Sequence, residues 1–229
     1  MADYESKKVA LVTGAGRGIG RTAALALARA GFSLCLVSRS RDELLETRRL
    51  AGLAPEDSLI ILLDLAQPDA PDVLMTAAID HFGRIDVLVN AAGFSPPSRS
   101  LVELDPEHQD RIVAVNLRTP IALARMSVAM MLPRGGGSII NVVRGGAKDL
   151  RDGGSVHLAA RSGVIAFTRS SSEELRGRGI KVCAIIAGGK TQARVSEDTS
   201  VIAEMIVRMA LAPADESPIE IELVDSDGD

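Results

Sequence analysis

Aromatic residues are scarce in this sequence. They make up 2% of its 229 residues, with no tryptophan and one tyrosine, Tyr4. Chemistry that needs a phenol therefore has one candidate, which precedes the first predicted strand. Cysteine is scarce as well, and Cys35 and Cys183 both fall in apolar, strand-like segments. We expect two small buried thiols rather than a disulfide or a redox pair.

An excess of positive charge and long apolar runs are also missing. The chain has 26 Lys and Arg against 30 Asp and Glu, a net charge of −4, so no basic face for nucleic acid is expected. The longest run of Leu and Ile, Leu59–Leu63, is far shorter than the ~20 residues of a spanning helix. Residues 1–8 lack the apolar stretch of a secretory signal. We expect a cytoplasmic protein without a membrane anchor.

Short aliphatic runs do alternate with longer helical patterns along the whole chain. The runs predict seven strands: Val9–Val12, Leu34–Val37, Leu59–Leu63, Val87–Val89, Ile139–Val143, Val182–Ile186 and Ile219–Val224. The patterns between them predict six helices: Ile19–Ala30, Asp42–Leu50, Ala70–Phe82, Pro106–Met131, Ser155–Arg176 and Ser200–Leu211. Such alternation requires crossover connections, and strands this apolar are covered on both sides. The sequence predicts an α/β fold with a doubly wound, mostly parallel, seven-stranded sheet and helices on both faces.

No repeat and no linker rich in proline or serine divides the chain. We therefore expect a single domain over residues 1–229, with irregular segments at 94–100, 145–154 and 187–199. The acidic tail, residues 225–229, is expected to fray.

A glycine-rich turn joins the first predicted strand to the first predicted helix. It reads Thr13-Gly14-Ala15-Gly16-Arg17-Gly18-Ile19-Gly20, which has the spacing Gly-x-x-x-Gly-x-Gly at positions 14, 18 and 20. Glycines let a phosphate approach the backbone, and the unpaired N–H groups of the helix N-terminus point toward it. In the first turn of a doubly wound sheet, this predicts the diphosphate site of a Rossmann-type dinucleotide-binding fold.

Together with this turn, several further motifs resemble the short-chain dehydrogenase/reductase family over nearly the whole chain. They are Asn90-Ala91-Ala92-Gly93, Asp64-Leu65, Phe82-Gly83-Arg84-Ile85-Asp86 and Asn116. The resemblance implies a nicotinamide dinucleotide cofactor whose adenine meets Asp64. It also implies a dimer or tetramer built through the long helices, and a contact from Thr191 to the cofactor amide.

The residues after the second predicted strand bear on which dinucleotide is bound. An acidic residue there accepts a hydrogen bond from the ribose in NAD binders, whereas this chain has Ser38-Arg39-Ser40-Arg41. Arg39, helped by Arg17 or Arg41, can pair with a 2′-phosphate, so NADP(H) is favoured over NAD(H). The predicted cofactor-binding residues are Gly14, Arg17, Gly18, Ile19, Gly20, Arg39, Asp64, Leu65, Asn90, Ala91, Gly93, Arg161 and Thr191.

The catalytic positions of the family do not match. Its members carry a Tyr-x-x-x-Lys pair and an upstream Ser. Alignment on Ile139–Val143 and Ser162–Thr168 places Arg144 at the Ser position, His157 at the Tyr position and Arg161 at the Lys position. Asn116, the family's proton-relay residue, is retained. Tyr4 cannot take the missing place, because it precedes the first strand.

The replacements suggest altered chemistry. His157 could donate a proton, although neighbouring guanidinium groups favour its neutral form. Arg161 could hydrogen-bond ribose hydroxyls but cannot shuttle a proton, because it stays charged. Arg144 either blocks the substrate pocket or binds an anionic ligand. After the sixth predicted strand, Ile186–Thr191 leads quickly into the next helix, so the family's substrate lid is expected to be largely deleted.

Three functions are consistent with these residues. The first is a cofactor-binding protein without the family's turnover, which reports cofactor state or acts as a non-catalytic subunit. The second is an atypical NADP(H)-dependent carbonyl reductase in which His157 or a water supplies the proton and Arg144 binds an anionic substrate. The third is a structural protein that has lost the cofactor. The sequence contains no residues at the spacing that is typical of a metal site.

Overall fold

The computed structural model describes residues 7–95, 100–144, 154–187, 195–213 and 220–223. In these ranges seven strands form one sheet in the order β3-β2-β1-β4-β5-β6-β7, and every neighbouring pair is parallel. The strands are β1 (Val9–Thr13), β2 (Ser33–Ser38), β3 (Ser58–Leu62), β4 (Val87–Asn90), β5 (Gly137–Arg144), β6 (Ile180–Ala187) and β7 (Glu220–Leu223). The predicted doubly wound, parallel sheet is confirmed.

The helices also follow the predicted pattern. They are α1 (Gly18–Arg29), α2 (Arg41–Ala51), α3 (Ala70–Phe82), α4 (Pro106–Val113), α5 (Thr119–Met131), α6 (Ser155–Glu174) and α7 (Val195–Leu211). Two short 3₁₀ turns are Pro55–Asp57 and Leu132–Arg134. The predicted helix Pro106–Met131 contains a π-helical turn, Ala114–Arg118, between α4 and α5.

The start of the last helix was predicted wrongly. Helix α7 begins at Val195, not at Ser200, so the irregular segment predicted over 187–199 ends earlier. The sequence Ser196-Glu197-Asp198 is compatible with this earlier start, because serine and acidic residues are favoured at the beginning of a helix. Most of the irregular segment predicted over 145–154 and the tail at 225–229 lie outside the described residues.

Alternate residues of the strands point to opposite faces of the sheet and build two apolar cores. In β1, Val9 and Leu11 pack with α3, α5 and the end of α6, whereas Ala10 and Val12 pack with α1, α2 and α7. Cys35 lies in the first core and Cys183 in the second, and both are free and buried. The prediction of two buried thiols is confirmed.

The helical segment Pro106–Arg134 is long and apolar enough to cross a membrane by length and composition, the only such helix in the described part of the chain. Its residues Leu123, Ala124 and Met131 are buried in the first core. This packing accounts for its apolar composition, because a helix that covers a sheet needs an apolar face.

Candidate functional site

The candidate site lies at the switch point of the sheet, where strands β2 and β3 extend it on one side of β1 and strands β4 to β7 on the other. Strand β1 has β2 on one side and β4 on the other, so the connections that leave β1 and β4 run to opposite sides. In open parallel sheets this leaves a crevice at the carboxyl ends of the strands, where ligands bind. The glycine-rich turn follows β1 directly and therefore forms one wall of the crevice.

Close backbone contacts explain the glycines of this turn. A methyl group at Gly14, where φ is +68°, would lie 2.9 Å from Cα of Ala92, and one at Gly20 would lie 2.2 Å from the carbonyl oxygen of Gly14. Helix α1 begins at Gly18 without a side-chain cap and without an acidic residue in its first turn. Its first N–H groups therefore remain available to an anion, and the turn fits a diphosphate.

Two side chains that the sequence did not identify as site residues hold this turn in place. Thr13 Oγ1 accepts hydrogen bonds from the N–H groups of Ala91 and Ala92, both at 3.1 Å. Arg21 donates to the carbonyl of Gly16 through Nη2 and to Thr47 Oγ1 through Nε, the latter at 3.0 Å. The turn is thus tied to β4 on one side and to α2 on the other.

The predicted adenine side of the crevice is built around Asp64. Its Oδ2 accepts from Arg111 Nη2 at 2.6 Å and its Oδ1 from the N–H of Ala66 at 3.1 Å. Burial works to raise the pKa of Asp64, but these hydrogen bonds and the charges of Arg111 and Arg39 outweigh it and lower that pKa. Arg39 itself is exposed. Asp64 therefore stays ionised at neutral pH, with Arg111 and Arg39 as its cationic neighbours.

Leu65 is a predicted cofactor-binding residue that lies just after β3. Its side chain is buried in the first core, and its carbonyl accepts from Thr119 Oγ1 at 2.8 Å. The side chain is therefore turned into the interior, where it packs with apolar residues. Only the backbone of Leu65 is left to contact a ligand.

A carboxylate that the sequence did not suggest stands beside the turn. A methyl group at Gly16 would lie 2.7 Å from Glu43 Oε2 and 2.9 Å from Ser38 Oγ. The sequence shows no carboxylate between Ser38 and Asp42, but Glu43, in the first turn of α2, reaches back to the end of β2. A carboxylate of the following helix thus lies beside the glycine-rich turn, near the end of β2. Arg41 is exposed at the start of α2.

Asn90, a predicted cofactor-binding residue, is the last residue of β4. It is buried, and its Nδ2 donates to Asn141 Oδ1 at 2.9 Å, which links β4 to β5. Ala91 and Gly93, which follow it, are nearer the surface. The motif resembling the family's Asn-rich element therefore contributes to the crevice through its backbone.

Asn116 lies in the π-helical turn and holds the segment after β4. Its Oδ1 accepts from the N–H of Phe94 at 2.9 Å, and its Nδ2 donates to the Phe94 carbonyl at 2.7 Å. Arg111 lies over the Phe94 ring, 5.1 Å from its centroid. The amide of Asn116 is therefore used for positioning.

The three residues predicted to stand at the family's catalytic positions lie on β5 and α6. Arg144 is the exposed last residue of β5, and its Nη2 would lie 3.1 Å from a methyl group at Gly18. His157 is half-buried and Arg161 is buried, one helical turn apart on α6. The structure thus brings Arg144 to the glycine-rich turn. Thr191 lies outside the described residues.

A parallel doubly wound sheet with a glycine cradle at its switch point defines a Rossmann-type dinucleotide-binding fold. The sequence profile of the family described as short chain dehydrogenase matches residues 8–200. The chain therefore belongs to the short-chain dehydrogenase family of oxidoreductases.

Individual relatives agree with this assignment. The chain is 33% identical over 184 residues to the short chain dehydrogenase/reductase astE of Aspergillus oryzae, covering 80% of this chain and 70% of that protein. A metagenomic short-chain oxidoreductase crystallised with NADP has a TM-score of 0.85, with 29% identity and coverage of 95% of this chain and 96% of that one. A 3-ketoacyl-(acyl-carrier-protein) reductase from Brucella melitensis, complexed with NADH, has a TM-score of 0.82, with 26% identity and coverage of 96% and 97%.

Proposed function

We propose that this chain binds NADP(H) in the crevice and does not use the family's Ser/Tyr/Lys chemistry. It acts as a cofactor-binding member of the family, either as a reporter of cofactor state or as a non-catalytic subunit beside an active relative. One observation carries the proposal. The glycine turn has the close backbone contacts of a diphosphate cradle, whereas the sequence motifs align Arg144, His157 and Arg161 with the positions where the family has its serine, tyrosine and lysine.

Proton delivery is the step that the replacements affect most. When bound, the dinucleotide supplies or accepts a hydride, and a carbonyl that receives a hydride also needs a proton. Arg144 and Arg161 cannot donate one, because guanidinium groups stay protonated. Asn116 brings no ionisable group that could supply the proton, and its side-chain Oδ1 and Nδ2 each form a hydrogen bond with the backbone of Phe94.

Preference for NADP(H) over NAD(H) is supported by the exposed guanidinium groups of Arg39 and Arg17 beside the ends of β2 and β1. Arg39 is close enough to Asp64 to lower the pKa of that carboxyl group, which supports a position of its charge near the predicted adenine site. Arg39→Asp is expected to weaken NADPH binding more than NADH binding. Equal losses for the two dinucleotides would contradict the preference.

A second candidate function is an atypical NADP(H)-dependent carbonyl reductase. This candidate is favoured by the presence of a half-buried histidine and a buried arginine one turn apart on α6, since residues four apart share a helix face. His157 or a water would supply the proton, Arg161 would bind the ribose and Arg144 an anionic substrate. In this case His157→Phe abolishes turnover.

Cofactor titration followed by single-turnover hydride transfer tests these functions. We expect tight NADPH binding without its oxidation by aldehydes, ketones or 3-ketoacyl thioesters. Oxidation that is lost in His157→Phe supports the reductase instead. If neither dinucleotide binds, the chain is a structural protein and the proposal is wrong.

The domain organisation, cellular location, oligomeric state and partners of the chain are proposed as well. We infer one domain over residues 1–229, a cytoplasmic location, a homodimer or homotetramer, and no nucleic-acid or membrane partner. The net charge of −4 supports the absence of a polyanionic partner. Light scattering on the purified protein measures the oligomeric state, and a monomer would contradict the proposed homodimer or homotetramer.

A further inference from the structure

We propose that Arg144 is a diphosphate-binding residue. Its guanidinium group closes over the glycine-rich turn and pairs with the diphosphate of the bound dinucleotide instead of acting on a substrate carbonyl. This inference rests on the dinucleotide binding proposed above. It gives the side chain that replaces the family's serine a definite ligand.

The side chain of Arg144 crosses the crevice. Arg144 ends β5, and β4 lies between β5 and β1 in the sheet. Two strand spacings separate β5 from β1, about 10 Å, yet Nη2 of Arg144 lies 3.1 Å from the position of a methyl group at Gly18. The guanidinium group is thus far from its own strand and next to the first residue of α1.

This position suits a phosphate. The first turn of α1 has neither a side-chain cap nor an acidic residue, so its N–H groups and the guanidinium group of Arg144 converge on the same space. Arginine offers planar, paired donors that match two phosphate oxygens. Within the described residues Arg144 forms no salt bridge. Among the residues that the structure describes, no carboxylate is paired with this guanidinium group in competition with a phosphate.

The same geometry argues against the two roles considered from sequence. A guanidinium group that extends to Gly18 is directed to the phosphate end of a dinucleotide held by the turn. An anionic substrate would need it at the opposite end, beside the reacting ring. If Arg144 only obstructed the pocket, its guanidinium group would lie beside the positive N-terminal end of α1 with no anion between them, which is electrostatically unfavourable.

Ligands with and without a diphosphate distinguish these roles. Titration calorimetry of wild type and Arg144→Ala would use NADPH, adenosine diphosphate and adenosine 2′-monophosphate, which has no diphosphate. We expect Arg144→Ala to lose about tenfold or more in affinity for NADPH and adenosine diphosphate, as for one charge-assisted hydrogen bond. Binding of adenosine 2′-monophosphate should not change. Arg144→Lys should recover part of the loss.

A matched control removes the same charge elsewhere. Arg29 is exposed in the last turn of α1, about 16 Å along the helix from Gly18, and Arg29→Ala should bind all three ligands like wild type. Thermal unfolding of each variant establishes that it is folded, which is expected because both side chains are exposed.

Three results would overturn the inference. Unchanged affinity of Arg144→Ala for adenosine diphosphate shows that Arg144 does not contact the diphosphate, and tighter binding shows that it obstructs the turn. In both cases the proposed function survives, since wild type binds the dinucleotide. Wild-type protein that binds neither NADPH nor adenosine diphosphate overturns the proposed function and this inference together.

Discussion

At the scale of single residues, the hydroxyl of Thr13 holds the two strands that flank the crevice. Its oxygen accepts from two amides at the end of β4, those of Ala91 and Ala92. Thr13→Val keeps the shape but leaves both N–H groups without this acceptor. We expect the free energy of unfolding to fall by about 1–3 kcal/mol, measured by urea denaturation.

Thr13→Ser provides the matched control, because it keeps the acceptor and removes one methyl group. It should cost about 1 kcal/mol or less. Equal stability of Thr13→Val and wild type would mean that these hydrogen bonds do not stabilise the crevice.

We expect the carboxylate of Glu43 to disfavour a 2′-phosphate at the end of β2. Its Oε2 lies beside Gly16 and Ser38, and a phosphate bound there would be repelled, whereas a ribose hydroxyl could donate to it. We expect Glu43→Gln to raise the ratio of NADPH to NADH affinity by roughly tenfold at low salt. The ratio is measured by titrating both dinucleotides.

Asp42 supplies the control for Glu43. It precedes Glu43 on the same helix and is exposed, so Asp42→Asn removes the same charge without removing the group beside Gly16. An equal change of the ratio in both variants would assign the effect to net charge. No change in Glu43→Gln would remove Glu43 from cofactor selection.

The residues that sequence analysis identified are those whose function depends on local pattern. The glycines of the turn and Asp64 follow directly after strands, so their location could be predicted. Thr13 and Arg111 could not, because their partners lie 78 and 47 residues away in sequence. Glu43 was missed for a related reason, since a side chain on α2 reaches back to the end of β2.

At the scale of elements, the seating of α1 on the turn determines the shape of the cradle. A methyl group at Gly20 would lie 2.2 Å from a backbone oxygen of Gly14, which cannot move aside as a side chain can. Gly20→Ala is therefore expected to displace α1, to lower the free energy of unfolding by about 1–3 kcal/mol and to weaken dinucleotide binding. Denaturation and NADPH titration measure the two effects.

Gly163 on α6 offers a contrasting substitution. Its added methyl group would meet Leu117 Cδ1 at 2.9 Å, the end of a flexible side chain, and alanine favours a helix by about 1 kcal/mol over glycine. Gly163→Ala should remain within about 1 kcal/mol of wild type. If the two variants were equally stable, the close approach at Gly20 would not constrain α1.

The strands were predicted well because most are short apolar runs, of which β1, β2 and β4 are buried along nearly their whole length, and the strand ends moved by only a residue or two. The π-helical turn at Ala114–Arg118 could not be predicted, since its residues continue the helical pattern on both sides. What creates it is tertiary packing, including the pairing of Asn116 with Phe94.

At the scale of the whole molecule, the sheet keeps the two thiols apart and inert. Cys35 on β2 and Cys183 on β6 are separated by three strands and belong to opposite cores. Burial raises the pKa of Cys183 to about 12 and that of Cys35 still higher. We expect neither thiol to react with a thiol reagent in the native protein at about pH 8, since the thiolate is the reactive form.

The measurement is the number of labelled cysteines before and after unfolding in guanidinium chloride, in which both should react. A thiol that is labelled quickly in the folded protein would contradict the burial of that strand.

The arginines at the mouth of the crevice have one more consequence. Because arginine side chains stay charged across the physiological range and the lowered pKa of Asp64 keeps its carboxyl group ionised, none of the four groups Arg17, Arg39, Arg144 and Asp64 changes charge near neutrality. The dissociation constant for NADPH should accordingly stay nearly flat between about pH 7 and 9, yet rise as salt screens the phosphates. A steep dependence on pH with little response to ionic strength would point to a titrating group such as His157 as the main determinant of affinity.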